Sequence, residues 1–379
     1  MKKLFKGVYD SIAMKITAKV KILSSPEESK KLLDTMEVFN LACQEIADVC
    51  FKLKSADKLL IHKEVYYSIR EKYGLSAQLA VRCISKACES YKINKKVCPK
   101  IKKHSAVTYD QRILTFKGLN QVSISTLGGR IKLPILVRDY FKGHANRIKG
   151  QVDLLYINKE FYLYATCDMP EETTSEPKEY IGVDLGVNNI AVTSDKEFFS
   201  SEKIENKRTK YAKLRKHLQK KQTKSAKRKL KKISGKESRF RKDVNHQISK
   251  KIVSKAKSTN SAIALEDLKG IKERTIVKKC HKKQRDKRNA WSFYQLRLFI
   301  QYKAQLDGVP VVIVNPAYTS IMCPKCTAID KKNRKTQSEF CCTGCNYTEH
   351  ADVVGSINIA SAGATSIGLM SSANLQKAS

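Results

Sequence analysis

The sequence lacks any apolar run that approaches the roughly 18 residues of a membrane-spanning helix. Its first residues are basic, but the sustained apolar stretch of a secretory signal peptide does not follow them. We therefore expect neither a membrane anchor nor a membrane partner. Without a secretory signal, the 12 cysteines indicate a reduced, cytoplasmic setting inside the cell rather than a disulfide framework.

Acidic residues are also scarce, since 36 Asp and Glu accompany 74 Lys and Arg and give a formal net charge of +38. Such an excess of positive charge attracts polyanions. Nucleic acid is the favoured partner, and a generally basic surface or an anionic membrane surface are the alternatives. Binding to nucleic acid should weaken steeply with salt, because each neutralised phosphate releases counterions.

The first half of the chain combines helices with short strands. Residues 14–24 alternate like a strand, and Ser25 with Pro26 then predicts the start of a helical region that runs to about residue 96. Residues 107–170 contain short β-branched and aromatic segments, which are typical of a barrel-like or sandwich-like β-domain. We expect the strand at 14–24 to join that domain, so that the helices form an insertion.

The second half begins after a polar linker at 173–179 and is predicted to be an α/β domain. Three strands are expected in residues 181–200. Residues 201–250 carry 20 basic and 4 acidic residues and predict two long basic helices with Gly235 near their junction, with a solvated charged tract as the alternative. Strand, helix and strand patterns follow, and Gly308 closes the last helix.

Five cysteines lie close together near the C-terminal end of the chain. Cys323 and Cys326 form one C-x-x-C pair, and Cys342 and Cys345 form another, with fifteen residues between the pairs. Two such pairs fit one tetrahedral Zn²⁺ held by four thiolates. A closed four-cysteine site has no open coordination position, so this zinc should be structural, and Cys341 should be a bystander.

Three acidic residues suggest a second metal site. Asp184 interrupts a buried strand pattern, Glu266 ends another strand, and Asp352 follows the second cysteine pair. Carboxylates on neighbouring elements of an α/β sheet could hold two Mg²⁺ ions about 4 Å apart, one to activate a water and one to stabilise the leaving oxygen of a phosphodiester. Asp267 competes with Glu266 for this role, and Asp352 alone could be a helix cap.

Four segments of the chain resemble TnpB-type transposon-encoded RNA-guided DNA nucleases, which are relatives of the compact type V CRISPR effectors. The segments that carry the resemblance are IGVDLGVNN (181–189), ALEDLKGI (264–271), NPAYTSIMCPKC (315–326) and FCCTGCNYTEHADVVGSINIA (340–360). The family places an aspartate seven residues after the last of these cysteines, as Asp352 follows Cys345 here. Thr327 and Asn346 depart from the family, because glycine is common at both positions.

The resemblance implies a multidomain α/β plus β fold. It implies a wedge β-barrel domain from residues 1–24 and 101–172, with a helical recognition domain at 25–100 inserted. It also implies a RuvC-like, RNase H-type nuclease domain at 173–379 that uses Asp184, Glu266 and Asp352. A zinc ribbon at 320–348 would be inserted in the nuclease domain and bind the target nucleic acid.

The function implied by the resemblance is that of a transposon's guide-RNA-directed, Mg²⁺-dependent DNA endonuclease. It would cleave double-stranded DNA beside a short target-adjacent motif, with a guide RNA derived from the transposon end, acting as a monomer with RNA on nucleoid DNA of a prokaryotic cell. RNA–DNA pairing would read most of the target. The alternatives are a catalytically silent RNA-guided repressor, a compact type V CRISPR effector, and a DNA-rejoining transposase.

Four further residues are candidates for supporting roles. Ser76, Gln78 and Arg82 lie near one face of a predicted helix, where polar groups could read base edges of the target-adjacent motif. Asn358 could orient Asp352 or a metal-bound water, although packing inside a helix is the alternative.

Overall fold

A computed structural model of the protein describes residues 15–137, 147–169, 176–268 and 293–376. The chain divides into two compact units, one spanning Ala13–Met169 and the other containing the described residues from 176 onward. Residues 1–14 of the predicted wedge domain and the last residues of the ALEDLKGI segment lie outside the described residues. Within the described ranges, no helix has both the length and the apolar character needed to cross a membrane.

The first unit contains the predicted helical insertion. Its helices are α1 (Pro26–Lys52), α2 (Lys58–Tyr73) and α3 (Ala77–Ile93). Helix α1 begins as predicted, because the Ser25 hydroxyl accepts the Glu28 N–H (3.2 Å) and the Glu28 carboxylate accepts the Ser25 N–H (2.8 Å). Helix α2 ends at Gly74, whose φ of 60° lies in the left-handed region that glycine favours.

An antiparallel sheet of seven strands completes the first unit. The strands are β1 (Lys15–Ile22), β2 (Val107–Tyr109), β3 (Leu114–Lys117), β4 (Gln121–Thr126), β5 (Gly129–Leu136), β6 (Ile148–Ile157) and β7 (Glu160–Asp168), in the order β2-β6-β7-β1-β5-β4-β3. Strand β1 pairs with β7 and β5, which confirms that the first strand joins the β-domain. The Tyr109 hydroxyl on β2 donates to the Ser125 carbonyl on β4 (3.2 Å), so the two ends of the sheet approach each other in a near-closed barrel.

The second unit is built on a mixed five-stranded sheet. Its strands are β8 (Glu179–Asp184), β9 (Asn189–Thr193), β10 (Phe198–Ser200), β11 (Ser261–Glu266) and β12 (Val311–Val314), in the order β10-β9-β8-β11-β12. Strands β8, β11 and β12 are parallel, whereas β9 pairs antiparallel with β8 and β10 pairs antiparallel with β9. The strands predicted from the sequence are therefore confirmed.

Helices cover both faces of this sheet. The helices of this unit are α4 (Glu202–Lys221), α5 (Lys224–Ile233), α6 (Lys236–Ser258), α7 (Phe293–Leu306) and α8 (Ala351–Gln376). Apolar side chains of α6 and α7 pack on one face of the sheet, where Ile252 and Ile300 are buried with Ile263. On the other face, Ile359 of α8 packs against Ala264 of β11.

The prediction of two long basic helices was wrong, because this stretch forms three. Gly235 marks one junction as expected, with a φ of 73°. A second break occurs at Gln222, whose φ is 50°, and the Thr223 side chain then accepts the Ala226 N–H (3.2 Å) and caps α5. The break was missed because it depends on a capping threonine rather than on glycine or proline.

Glycine allows α8 to lie directly against β8. A Cβ atom at Gly182 would stand 1.9 Å from the Ser356 carbonyl oxygen and 2.5 Å from the Ala360 nitrogen. Any side chain at position 182 would therefore push the helix away from the strand. This close approach brings the first turn of α8 to the end of β8.

Candidate active site and cysteine cluster

Three elements of the second unit bring the predicted carboxylates together. Asp184 is the last residue of β8, Glu266 is the last residue of β11, and Asp352 lies in the first turn of α8. Because β8 and β11 are parallel with Val183 opposite Leu265, their acidic ends emerge side by side. All three carboxylates line one cavity of about 270 Å³.

Burial and mutual repulsion act on the carboxylates in this cavity. Burial, followed by the charges of Glu266 and Asp352, raises the pKa of Asp184 to about 7, although the Arg334 guanidinium opposes the shift. Burial also raises the pKa of Glu266, against opposing effects of Thr319 and Arg334. A cluster of desolvated carboxylates is an environment that fits a bound hard metal ion.

Two of the carboxylates receive hydrogen bonds from neutral side chains. The Asn189 amide donates to Oδ2 of Asp352 (2.9 Å), and the Thr319 hydroxyl donates to Oε1 of Glu266 (2.5 Å). The Arg334 guanidinium lies 3.3 Å from Oδ1 of Asp352. These contacts fix the orientation of Asp352 and Glu266 toward the cavity.

Close packing constrains the third carboxylate. A Cβ atom at Gly355 of α8 would lie 3.1 Å from Oδ2 of Asp184, so a larger residue there would crowd the carboxylate. The glycine thus leaves room for the Asp184 side chain between strand and helix. This contact was not foreseen from the sequence, because it joins two elements that are distant along the chain.

The structure separates Glu266 from its competitor. Asp267 accepts a hydrogen bond from Arg297 (2.9 Å) and is not among the cavity-lining residues, whereas Glu266 is. The choice of Glu266 over Asp267 therefore agrees with the geometry. The metal-binding and catalytic roles of the three acids stay predictions.

Three residues at this site were missed by the sequence reasoning. Arg334 belongs to the basic run KKNRK (331–335), which was assigned no role in this site from the sequence. Thr319 and Asn189 lie in segments that resemble the nuclease family, but their side chains were assigned no role. No local signal distinguishes Arg334 from the neighbouring cations, because only the folded ribbon directs it to the carboxylates.

Asn358 has a different set of contacts from the predicted one. Its amide nitrogen donates to the carbonyls of Thr319 and Met322, both at 2.8 Å, and the residue is 2% exposed. Its hydrogen bonds in the described structure do not reach Asp352. The buried amide instead holds the segment that carries Thr319.

The four predicted cysteines form a cluster between β12 and α8. The Sγ atoms of Cys323, Cys326, Cys342 and Cys345 all lie within 4.8 Å of one another. Cys341 lies in strand β13 (Glu339–Cys341), which pairs with β14 (Thr348–His350), and it is outside the cluster. This arrangement agrees with the assignment of Cys342 rather than Cys341.

One thiol of the cluster, Cys342, has surroundings that favour its thiolate form. Backbone N–H groups of Cys345 (3.4 Å) and Gly344 (3.3 Å) point at Sγ of Cys342 and lower its pKa to about 6. Thr327 and Asn346 adopt positive φ values of 59° and 56° in the two turns. Both turns therefore form without the glycine that is common in the family.

The three candidates on α3 have mixed environments. Ser76 is the exposed N-cap residue of the helix. Gln78 and Arg82 both donate to Asp110, and the Arg82 Nη2 to Asp110 Oδ2 distance is 2.6 Å. In this state their donors bind the segment after β2, and reading of DNA bases by these residues stays a prediction.

Two family models match the second half of the chain. Residues 164–272 match the OrfB_IS605 model, described as a probable transposase. Residues 293–359 match the Cas12f1-like TNB domain. The two matches together include the three carboxylates and the four cysteines.

Individual relatives agree with these matches. The chain is 37% identical to the TnpB-like protein MJ0751 of Methanocaldococcus jannaschii over 45% of this chain and 60% of that protein. It is 32% identical to the CRISPR-associated endodeoxyribonuclease Cas12f1 of Syntrophomonas palmitatica over 56% of this chain and 45% of that protein. The chain thus spans less than two thirds of the length of these curated relatives.

The fold is similar to that of a compact CRISPR effector. The Cas12f1 chain of a Cas12f1–sgRNA–target DNA complex superposes with a TM-score of 0.61 at 13% identity, over 92% of this chain and 98% of that chain. The predicted mixed α/β plus β fold is therefore confirmed at the level of overall architecture.

Proposed function

We propose that this chain is a guide-RNA-directed DNA endonuclease. The family matches confirm its predicted relationship to TnpB-type proteins and Cas12f effectors. The protein would cleave double-stranded DNA beside a short target-adjacent motif. The observation that carries the proposal is the convergence of Asp184, Glu266 and Asp352 in one cavity at the ends of β8, β11 and the start of α8. Related proteins named as endonucleases support the reaction class.

The three carboxylates suit Mg²⁺, which prefers hard oxygen ligands. When bound, two Mg²⁺ ions would supply activation of a water and charge stabilisation at the leaving oxygen of the phosphodiester. Asp184, Glu266 and Asp352 would hold these ions. The raised pKa of Asp184 supports the assignment, because it reflects burial first and then the negative charges of Glu266 and Asp352, which a cation would neutralise.

Neighbouring residues prepare the carboxylates for this role. Asn189 holds one oxygen of Asp352 and leaves the other to face Arg334. The Arg334 guanidinium provides a permanent positive charge at the cavity, which can pair with a phosphate oxygen of the DNA strand. The intact set of acids and donors favours the nuclease over a catalytically silent repressor.

We assign the domains according to the same relationship. The five-stranded sheet with three parallel strands and acids at adjacent strand ends supports a RuvC-like, RNase H-type domain at 173–379. Residues 320–348 would form a ribbon with one structural Zn²⁺ held by Cys323, Cys326, Cys342 and Cys345. The near-closed barrel and the helices of the first unit would be the wedge and recognition domains.

The proposed partners are a guide RNA and target DNA, with the protein acting as a monomer. The net charge of +38 supports polyanion binding. The match to a probable transposase favours a transposon origin for the guide, whereas the Cas12f1-like match supports a compact type V CRISPR effector as the second candidate. Sequencing of RNA that co-purifies with the protein distinguishes the two, because a CRISPR repeat would be present only in the second case.

The cleavage reaction itself can be tested with that RNA. The purified ribonucleoprotein is incubated with a DNA library that pairs each candidate guide target with randomised flanking sequence. We expect Mg²⁺-dependent double-strand breaks beside one flanking motif, and no breaks when EDTA replaces Mg²⁺. Absence of co-purifying RNA, or cleavage that ignores the guide sequence, would refute the proposal.

A further inference from the structure

We propose that Thr319 is a positioning residue for Glu266 and that Asn358 holds Thr319 in place. The inference rests on the proposed function, because it assumes that Glu266 binds a divalent cation. Together, Thr319 and Asn358 would determine which oxygen of Glu266 faces the metal. Neither residue needs to touch the metal or the DNA for this purpose.

The contact between Thr319 and Glu266 has the geometry of a charge-assisted hydrogen bond. The hydroxyl oxygen of Thr319 lies 2.5 Å from Oε1 of Glu266, and Thr319 is 6% exposed. The same hydroxyl lies 3.1 Å from the Pro316 carbonyl. A hydroxyl has one hydrogen, and the carboxylate is both the nearer and the stronger acceptor, so we assign the hydrogen to Glu266.

This hydrogen bond distinguishes the two oxygens of Glu266. With Oε1 engaged by Thr319, Oε2 is the oxygen left for a cation. Without the hydroxyl, the carboxylate could rotate about its terminal bond, because such torsions have broad, shallow preferences. A carboxylate that samples several orientations binds a metal ion less tightly than one held in place.

Asn358 fixes the backbone from which Thr319 projects. Its side-chain nitrogen donates to the carbonyls of Thr319 and Met322, both at 2.8 Å, and only 2% of the residue is exposed. Asn358 lies on α8, the same helix that carries Asp352. The helix therefore places Asp352 directly and Glu266 indirectly, through Asn358 and Thr319.

Asn358 also contacts the segment that leads into the cysteine cluster. Met322, whose carbonyl accepts from Asn358, is followed at once by Cys323, the first of the four cysteines. One buried amide thus connects the start of the ribbon to the orientation of a carboxylate in the acidic cavity. A change at Asn358 should affect the acidic cavity even when the cysteine cluster remains intact.

The test compares substitutions at Thr319 in the full-length protein with its cysteine site loaded with zinc. Thr319→Val keeps the shape of the side chain and removes the hydroxyl, whereas Thr319→Ser keeps the hydroxyl. Thr126→Val is a matched control, since Thr126 is also buried and donates to the Gly129 carbonyl (2.8 Å) in the other unit. Binding of Mn²⁺, which accepts the same oxygen ligands as Mg²⁺, is measured by loss of its free-ion EPR signal.

We expect Thr319→Val to raise the Kd for Mn²⁺ by about 10- to 100-fold, as is usual when a residue supporting a metal ligand is removed. The Kd of Thr319→Ser for Mn²⁺ should remain within about 3-fold of that of the unsubstituted protein, and Thr126→Val should leave the Kd unchanged. Equal Mn²⁺ affinity of Thr319→Val and the unsubstituted protein would overturn the positioning role alone. If the unsubstituted protein binds no Mn²⁺, or if Asp184→Ala binds Mn²⁺ as tightly as the unsubstituted protein, the proposed function would be overturned as well.

A double substitution tests whether Asn358 acts through Thr319. Asn358→Asp replaces the donating amide by an acceptor that repels both carbonyls, and it should also weaken Mn²⁺ binding. If Asn358 acts through Thr319, the double variant should bind Mn²⁺ no more weakly than whichever single variant has the higher Kd. Fully additive losses, or an Asn358→Asp variant with unchanged Mn²⁺ affinity, would overturn the proposed connection.

Discussion

At the scale of single residues, Asp184 shows how the fold makes a carboxylate responsive to charge. Its pKa rises from an ordinary 3.8 to about 7, first because of burial and then because of the two neighbouring acids. Between these two pH values the folded protein retains a proton that the unfolded chain has released. The contribution of Asp184 to the free energy of unfolding therefore falls as the pH rises through this window.

Replacing Asp184 with Asn should remove this pH dependence. In buffer without Mg²⁺, we expect Asp184→Asn to match the unsubstituted protein near pH 4 and to exceed its free energy of unfolding by about 1–3 kcal/mol at pH 8. Urea unfolding at a series of pH values measures the difference. A difference that does not depend on pH would show that Asp184 is not held in a desolvated, acidic environment.

Arg334 is the residue that brings positive charge to the same cavity. Its guanidinium lies 3.3 Å from Oδ1 of Asp352, and its charge opposes the rise in the pKa of Asp184 and Glu266 that burial causes. We expect Arg334→Gln to reduce the single-turnover cleavage rate by about 100-fold or more, as when a preorganised charge at a reacting centre is removed. The control is Lys335→Gln, which removes a positive charge from the next residue of the same basic run and should change the rate by less than about 3-fold. Equal rates for the two variants would contradict a specific role of Arg334.

At the scale of secondary-structure elements, the packing of α8 on β8 determines whether the site can assemble. Gly182 cannot gain a Cβ without displacing the Ser356 carbonyl or the strand itself. We expect Gly182→Ala to destabilise the protein by about 3 kcal/mol, as measured by urea unfolding. Gly128→Ala is the control, because a Cβ there meets nothing within 4 Å, and a similar loss for both variants would contradict the packing argument.

The elements themselves were largely predictable from the sequence. The strand pattern around Asp184, the capped start of α1 and the two cysteine pairs depend on local signals that survive in the linear chain. The break at Gln222 and the hydrogen bonds of Asn358 were not predictable in the same way. The first depends on one capping threonine, and the second depends on a tertiary contact between α8 and a distant segment.

At the scale of the whole molecule, charge is the property that most limits the choice of partner. Exposed lysines are frequent on α4 and α5, including Lys213, Lys220 and Lys227. Replacing these three with Gln should reduce the slope of log K against log salt concentration for RNA binding by about 2–3, if each contacts a phosphate. The same positions changed to Arg should keep the slope, and an unchanged slope in the Gln variant would place the RNA elsewhere.

The central claim is that one acidic cavity cuts DNA while other parts of the protein hold RNA and target. The most direct measurement compares the Asp184→Ala ribonucleoprotein with the unsubstituted one, recording DNA cleavage with Mg²⁺ and, separately, the affinities for guide RNA and target DNA. We predict that cleavage is lost while both affinities stay within about 3-fold, because the proposed role of Asp184 is to hold metal ions at the reacting phosphate and not to recognise RNA or target. Normal cleavage by the Asp184→Ala protein would contradict the account.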